Sequence, residues 1–207
     1  MVTQLGTKAN PRTDRITIDG RALRLPDEPL YILFHKPVGV VTTLSDPEGR
    51  PTVRDYLRGV RARVFPVGRL DFHSSGLLLL TNDGELALRL THPRYGIRKT
   101  YRVKVKGTPT PEAMALLAAG VRLEEGVTAP AEVRLARSAE GKTWLEITLG
   151  EGRRREVRRM CEQVGYPVEK LSRTRLGPLT LGKLPPGDHR MLTEREVRQL
   201  HYAVGLA

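Results

Sequence analysis

The strongest hydrophobic signal in the chain is Leu77-Leu78-Leu79-Leu80, an unbroken apolar run between Gly76 and Thr81. A short continuous run reads as a strand buried on both faces, and it is too short to span a membrane. Lys99 to Lys106 alternates instead: Tyr101, Val103 and Val105 share one face, and Arg102, Lys104 and Lys106 share the other. That is the period of a half-buried strand. Tyr31-Ile32-Leu33-Phe34 predicts a strand that Lys36-Pro37-Val38-Gly39 breaks and Val40-Val41-Thr42 resumes. Further extended segments are predicted at Phe65–Val67, Val121–Leu123, Ala131–Ala136, Trp144–Leu149 and Val168–Leu181, the last broken by Gly177-Pro178.

Helical periods are fewer. Thr110 caps one helix, Pro111 opens it and Gly120 closes it. Val157, Met160, Cys161 and Val164 form the apolar stripe of a second, arginine-rich helix that Gly165 ends. Thr193-Glu194-Arg195-Glu196 is a capping box for a last helix. Shorter turns are predicted at Glu85–Leu90 and, with Thr52 as cap, at Thr52–Leu57. Asp19-Gly20 reads as a hairpin turn between Arg15–Ile18 and Arg21–Arg24. Strands and helices mix without strict alternation, which favours α+β. Residues 1–25 are read as a small β piece, and Arg24-Leu25-Pro26-Asp27-Glu28-Pro29 as the linker to the main domain, 26–207.

Composition narrows the function. The chain of 207 residues carries 35 Lys and Arg against 23 Asp and Glu, a net +12. This excess favours a polyanionic partner. The arginines cluster, at Arg58, Arg61 and Arg63 and again at Arg153, Arg154, Arg155, Arg158 and Arg159, with Arg173 and Arg175 beyond. A guanidinium fork suits phosphate. The single cysteine, Cys161, reads as core packing, and the five histidines show no metal-ligand spacing, so no metal is expected. No phosphate-cradling glycine loop and no dinucleotide fingerprint appears. With no apolar span and no apolar leader at the N-terminus, the expectation is a cytoplasmic protein without membrane contact.

One stretch remains to be placed, Gly68-Arg69-Leu70-Asp71-Phe72-His73-Ser74-Ser75-Gly76 ahead of the leucine run. By itself Asp71 fits a turn cap as well as a catalytic carboxylate held in a loop by a rigid sheet. The whole run resembles the signature of the RsuA/RluB-type pseudouridine synthases that modify bacterial ribosomal RNA. The likeness extends in order over about residues 30–182, through His35-Lys36-Pro37-x-Gly39, Lys99-x-Tyr101-x-Val103 and Arg155-Glu156-Val157-Arg158. His35 departs from the asparagine more usual there and is read as structural or as an RNA-backbone contact. The segment from Leu5 to Gly20 is similar to the end of an S4 RNA-binding domain, making 1–25 a partial remnant.

The resemblance implies a pseudouridine synthase fold: a central mixed, largely antiparallel sheet flanked by helices, with a catalytic cleft. It implies isomerisation of a specific uridine, without cofactor, by Asp71 acting at C1′ or C2′ of the ribose. Tyr101, by pattern alone a core tyrosine, becomes the ring that stacks on the base. Arg158 becomes the cation that keeps Asp71 ionised. Arg69, Arg153, Arg154, Arg155, Arg173 and Arg175 are the RNA-contact candidates. Leu176 is a candidate for the base pocket, though apolar core is the simpler reading. Ser74-Ser75-Gly76-Leu77 and His92-Pro93-Arg94-Tyr95-Gly96 resemble the large-subunit (23S) enzymes more than the small-subunit (16S) one. A monomer is expected. The rival readings are a non-catalytic RNA-binding or ribosome-assembly protein, and a hydrolytic nuclease, for which no carboxylate or histidine cluster is seen.

Overall fold

The computed structural model describes residues 6–7, 9–10, 14–22, 28–139 and 142–206. Near the N-terminus β1 (Thr17–Ile18) and β2 (Arg21–Ala22) pair around Asp19-Gly20. Both turn residues have positive φ, 52° and 75°, as a type I′ turn requires. Residues 1–5, 8, 11–13 and 23–25 of the expected S4-like piece, and 24–27 of the expected linker, lie outside the described residues.

The remaining strands are β3 (Tyr31–Lys36), β4 (Phe65–Pro66), β5 (Ser75–Thr81), β6 (Lys99–Lys106), β7 (Arg122–Leu123), β8 (Gly126–Val127), β9 (Glu132–Ala139), β10 (Lys142–Leu149), β11 (Val168–Leu176), β12 (Leu179–Thr180) and β13 (His189–Met191). The helices are α1 (Gly84–Thr91), α2 (Pro111–Ala119), α3 (Glu156–Gln163) and α4 (Glu194–Ala203). One sheet runs β13-β3-β5-β11-β6-β10-β9, with β4 on β5 and β12 on β11. Every pairing is antiparallel except β5 with β11. The fold is thus α+β with a mixed, largely antiparallel sheet.

The leucine run explains the centre. Leu77 and Leu79 pack with Leu33, Leu86, Leu90 and Leu200 under α1 and α4. Leu78 and Leu80 point the other way, onto Ile32, Phe34 and Val53. All four are fully buried, each contributing roughly 1.5–3 kcal/mol of burial. β6 alternates as its sequence requires. Val103 and Val105 pack with Met160, Cys161 and Leu171 under α3, while Arg102 and Lys106 stay exposed. Thr110 and Thr193 cap α2 and α4 as their sequences predict. Val40-Val41-Thr42 does not resume a strand: only Val41 makes a bridge, to Thr52, and the Thr42 hydroxyl is spent on Leu70. β8 and β13 carry no strong period and were not foreseen.

The two halves of the sheet meet at a short parallel contact, Ser75 with Ser172 and Gly76 with Arg173. Further along, β5 pairs with β4 instead, at Leu80 and Thr81. The sheet therefore forks, and residues 67–74 lie at the fork. Gly76 permits the join: its φ is +115°, and a Cβ there would stand 2.3 Å from the Arg173 carbonyl oxygen. Gly76→Ala is expected to destabilise the fold by about 3 kcal/mol or more. Chemical denaturation checks this; a change below about 1 kcal/mol would contradict the close approach.

Candidate active site

The fork loop is held carbonyl by carbonyl. Leu70 O accepts from the Thr42 hydroxyl at 2.6 Å. Asp71 O accepts from Ser74 N at 3.0 Å, and Phe72 O from Gly39 N at 2.9 Å. His73 O accepts from Arg158 Nη2 at 2.7 Å, and Ser74 O from Lys36 Nζ at 2.8 Å. Five consecutive carbonyls are thus satisfied, and the loop has little freedom. The Asp71 side chain is left over. Among the described residues its carboxylate has one charged neighbour in pairing range, Arg155 Nη1 at 4.0 Å. It opens into a cleft of about 470 Å³ lined by Gly68, Tyr101, Leu149, Glu156, Arg173 and Leu176, among others. A groove of about 680 Å³, between residues 95–98 and α4, has no acidic side chain in its walls.

The cleft brings together Asp71, Tyr101, Arg69, Arg153, Arg154, Arg155, Arg173 and Leu176. Tyr101 is half-buried on β6, on the face away from solvent. Leu176 serves both as cleft lining and as core. Arg69, Arg154 and Arg155 are exposed at the rim. Arg153 is committed to the wall, donating to Glu151 and to the carbonyls of Gly126 and Val127. Arg158 lies behind the loop rather than among the cleft-lining residues, with its guanidinium on His73 O and Val168 O. A register irregularity between Arg173 and Arg175 sends their side chains to opposite faces. Arg173 enters the cleft, and Arg175 joins Thr100, Glu146 and Thr148 on the back of the sheet. His35 binds Leu184 O through Nδ1 at 2.7 Å. Among the described residues no group of three or more His, Cys, Asp or Glu is arranged to hold a metal ion, and no helix is long and apolar enough to cross a membrane.

Three ionisable groups were not singled out from sequence. Lys36 ends the apolar strand β3 and is fully buried. Burial pulls its ammonium down and the nearby Asp71 charge opposes this, leaving it at about 8. Lys99 shares the Tyr101 face of β6, which period-two alternation could have shown. Burial and then the Arg173 charge hold it below the ordinary lysine value. Glu156 accepts from Arg153 N at 2.9 Å. Burial, and then contact with the Glu151 carboxyl, pushes Glu156 up to about 7. Arg155, just ahead of α3, holds a left-handed backbone with φ 52°. That conformation costs roughly 1–2 kcal/mol outside glycine, and it lies beside the Asp71 carboxylate.

The sequence profile of RNA pseudouridylate synthases matches residues 30–163. The ribosomal large subunit pseudouridine synthase B of Bacillus subtilis (strain 168) is 46% identical over 202 residues, 97% of this chain and 82% of that protein. An RNA pseudouridine synthase of Aquifex aeolicus (strain VF5) is 42% identical over 207 residues, 100% of this chain and 83% of that protein. A crystal structure of a pseudouridylate synthase superposes with a TM-score of 0.78 at 31% identity, covering 86% of this chain and 76% of that one.

Glu156 supplies a pH test. Its pKa rises from 4.5 to about 7 on folding, so the folded chain holds this proton more tightly. The stability it contributes is complete below pH 4.5 and is lost as the pH rises through 7. Glu156→Gln stays neutral throughout. Its stability relative to the wild type should rise across that window by on the order of 1–3 kcal/mol. Urea midpoints below and above the window read the effect, and a pH-independent difference would contradict the assignment.

Proposed function

The chain belongs to the RNA pseudouridylate synthase family, and from that premise we propose that it isomerises a uridine of ribosomal RNA with Asp71 as the acting carboxylate. The observation that carries this reading is a carboxylate that, among the described residues, has no hydrogen-bond partner, on a loop whose carbonyls are bound from Leu70 to Ser74. The isomerisation breaks N1–C1′, turns the base and joins C5 to C1′. Nothing is gained or lost overall. Attack at C1′ and removal of a C2′ proton both need an ionised acid with open lone pairs, held still. Tyr101 offers a ring for the extruded base, whose unstacking costs a few kcal/mol. Arg158 and Lys36 act on Asp71 by holding the backbone on either side of Ser74.

Arg69, Arg154 and Arg155 are the phosphate contacts of this reading, since they are exposed around the mouth. Large-subunit RNA is the favoured substrate, because the Bacillus subtilis relative carries that designation. The reading takes a monomer acting in the cytoplasm. The hairpin Thr17–Ala22 is taken as part of an S4-like remnant ahead of the catalytic domain.

Mapping pseudouridine on a large-subunit transcript, with wild type and Asp71→Asn, tests the reading. Isomerisation should fall by at least about 10³-fold, while RNA affinity stays within about threefold. Pseudouridine formed at the wild-type rate would remove Asp71 from the chemistry. No pseudouridine from the wild type would favour the RNA-binding reading. Affinity should also fall with salt, by about 50-fold between 50 and 200 mM if four phosphates are neutralised. A flat response would contradict the arginine assignment.

A further inference from the structure

The inner wall of the cleft holds more positive charge than its neighbours balance. Arg173 is 3% exposed. Its Nε is fixed on Leu77 O at 2.8 Å, and its Nη2 is buried with no hydrogen-bond partner. Among the described residues no carboxylate lies in ion-pair distance of it. Lys99 lies near enough for its charge to feel Arg173. It gives one described hydrogen bond, to Ile97 O at 3.1 Å, which leaves protons free. Glu156, the nearby acid, accepts from Arg153 N through Oε2 and lies against the Glu151 carboxyl; its charge acts on Lys99, but it makes no ion pair with Arg173. Buried cations are ordinarily paired. Here one is anchored on a backbone carbonyl, with an unpaired nitrogen, in the wall of the cavity that holds Asp71 and Tyr101.

We propose that Arg173 and Lys99 form an anion hole for the uracil ring set free when N1–C1′ breaks. The proposal rests on the isomerase reading but not on which atom Asp71 attacks. In either route the electron pair of the broken bond leaves with N1, and the negative charge spreads over the ring to O2 and O4. Those oxygens accept hydrogen bonds from the Arg173 guanidinium and the Lys99 ammonium, both in the cleft wall. The ring is held while it turns. A pair of ring electrons then makes C5–C1′, a proton leaves C5, and N1 takes one up. Donors fixed before the charge develops are worth most in a closed site. Arg173 meets that condition because its backbone is pressed on Gly76 and its Nε on Leu77 O. This assigns Arg173 to the base rather than to an RNA phosphate.

The test compares single-turnover rates and RNA affinities of wild type, Arg173→Met and Lys99→Met on a synthetic RNA carrying the mapped target uridine. Arg173→Met should lose about 10²–10³ in rate, with affinity within threefold and an unchanged salt slope. Arg173→Ala should regain rate with added guanidinium ion, but not with sodium at equal concentration. A folded Arg173→Met that keeps its rate overturns the proposal. So does one whose affinity and salt slope fall together, the signature of a phosphate clamp. If the Arg173 variants do not fold, Lys99→Met decides: a loss of tenfold or more supports the hole, and full rate overturns it. A wild type that forms no pseudouridine means that the isomerase reading itself has failed, which is a separate result.

Discussion

The structure depends on five backbone carbonyls. From Leu70 to Ser74 each is bound by a different donor, two of them cations delivered from distant parts of the chain. Lys36 comes from the end of β3 and Arg158 from α3. The loop therefore takes its shape from both halves of the sheet, at the point where the halves part. A carboxylate on such a loop keeps its position without spending its own lone pairs. A catalytic acid must be fixed and yet uncommitted, and this arrangement meets both conditions.

The arrangement has a measurable cost. Holding Lys36 fully buried lowers its pKa from 10.5 to about 8, a penalty of roughly 3 kcal/mol on the charged form. The left-handed Arg155 adds roughly 1–2 kcal/mol. Arg173 stays buried with an unpaired nitrogen. These terms gather around one cleft, while the hydrophobic clusters on both faces of β5 offset them. Strain and unpaired charge concentrated at one place, with good packing elsewhere, is the pattern of a site shaped for chemistry.

Much of the fold was legible in the sequence. The leucine run and the Lys99–Lys106 alternation gave strands buried on two faces and on one. Thr110 and Thr193 gave the helix starts through local capping chemistry. Of the residues that the motif resemblance named, the fold gathers Asp71, Tyr101, Arg69, Arg153, Arg154, Arg155, Arg173 and Leu176 in one cavity and leaves Arg158 and Arg175 outside it. Side-chain direction was less legible, because it depends on tertiary register. Arg173 and Arg175 look equivalent on a strand of period two, and the irregularity between them separates their faces. Arg153 looks like its neighbours Arg154 and Arg155, yet it is tied to the β8 carbonyls. Lys36 reads as the polar end of a strand, and only the folded loop shows its ammonium beneath Ser74.

The most direct measurement of the central claim is a structure of Asp71→Asn bound to its target RNA. The account predicts the target uridine out of its stack, with the ring against Tyr101, its carbonyl oxygens toward Arg173 and Lys99, and C1′ or C2′ about 3–3.5 Å from the residue-71 side chain. A uridine still stacked in the RNA, or held outside the cleft with loop 70–74 displaced, would contradict it.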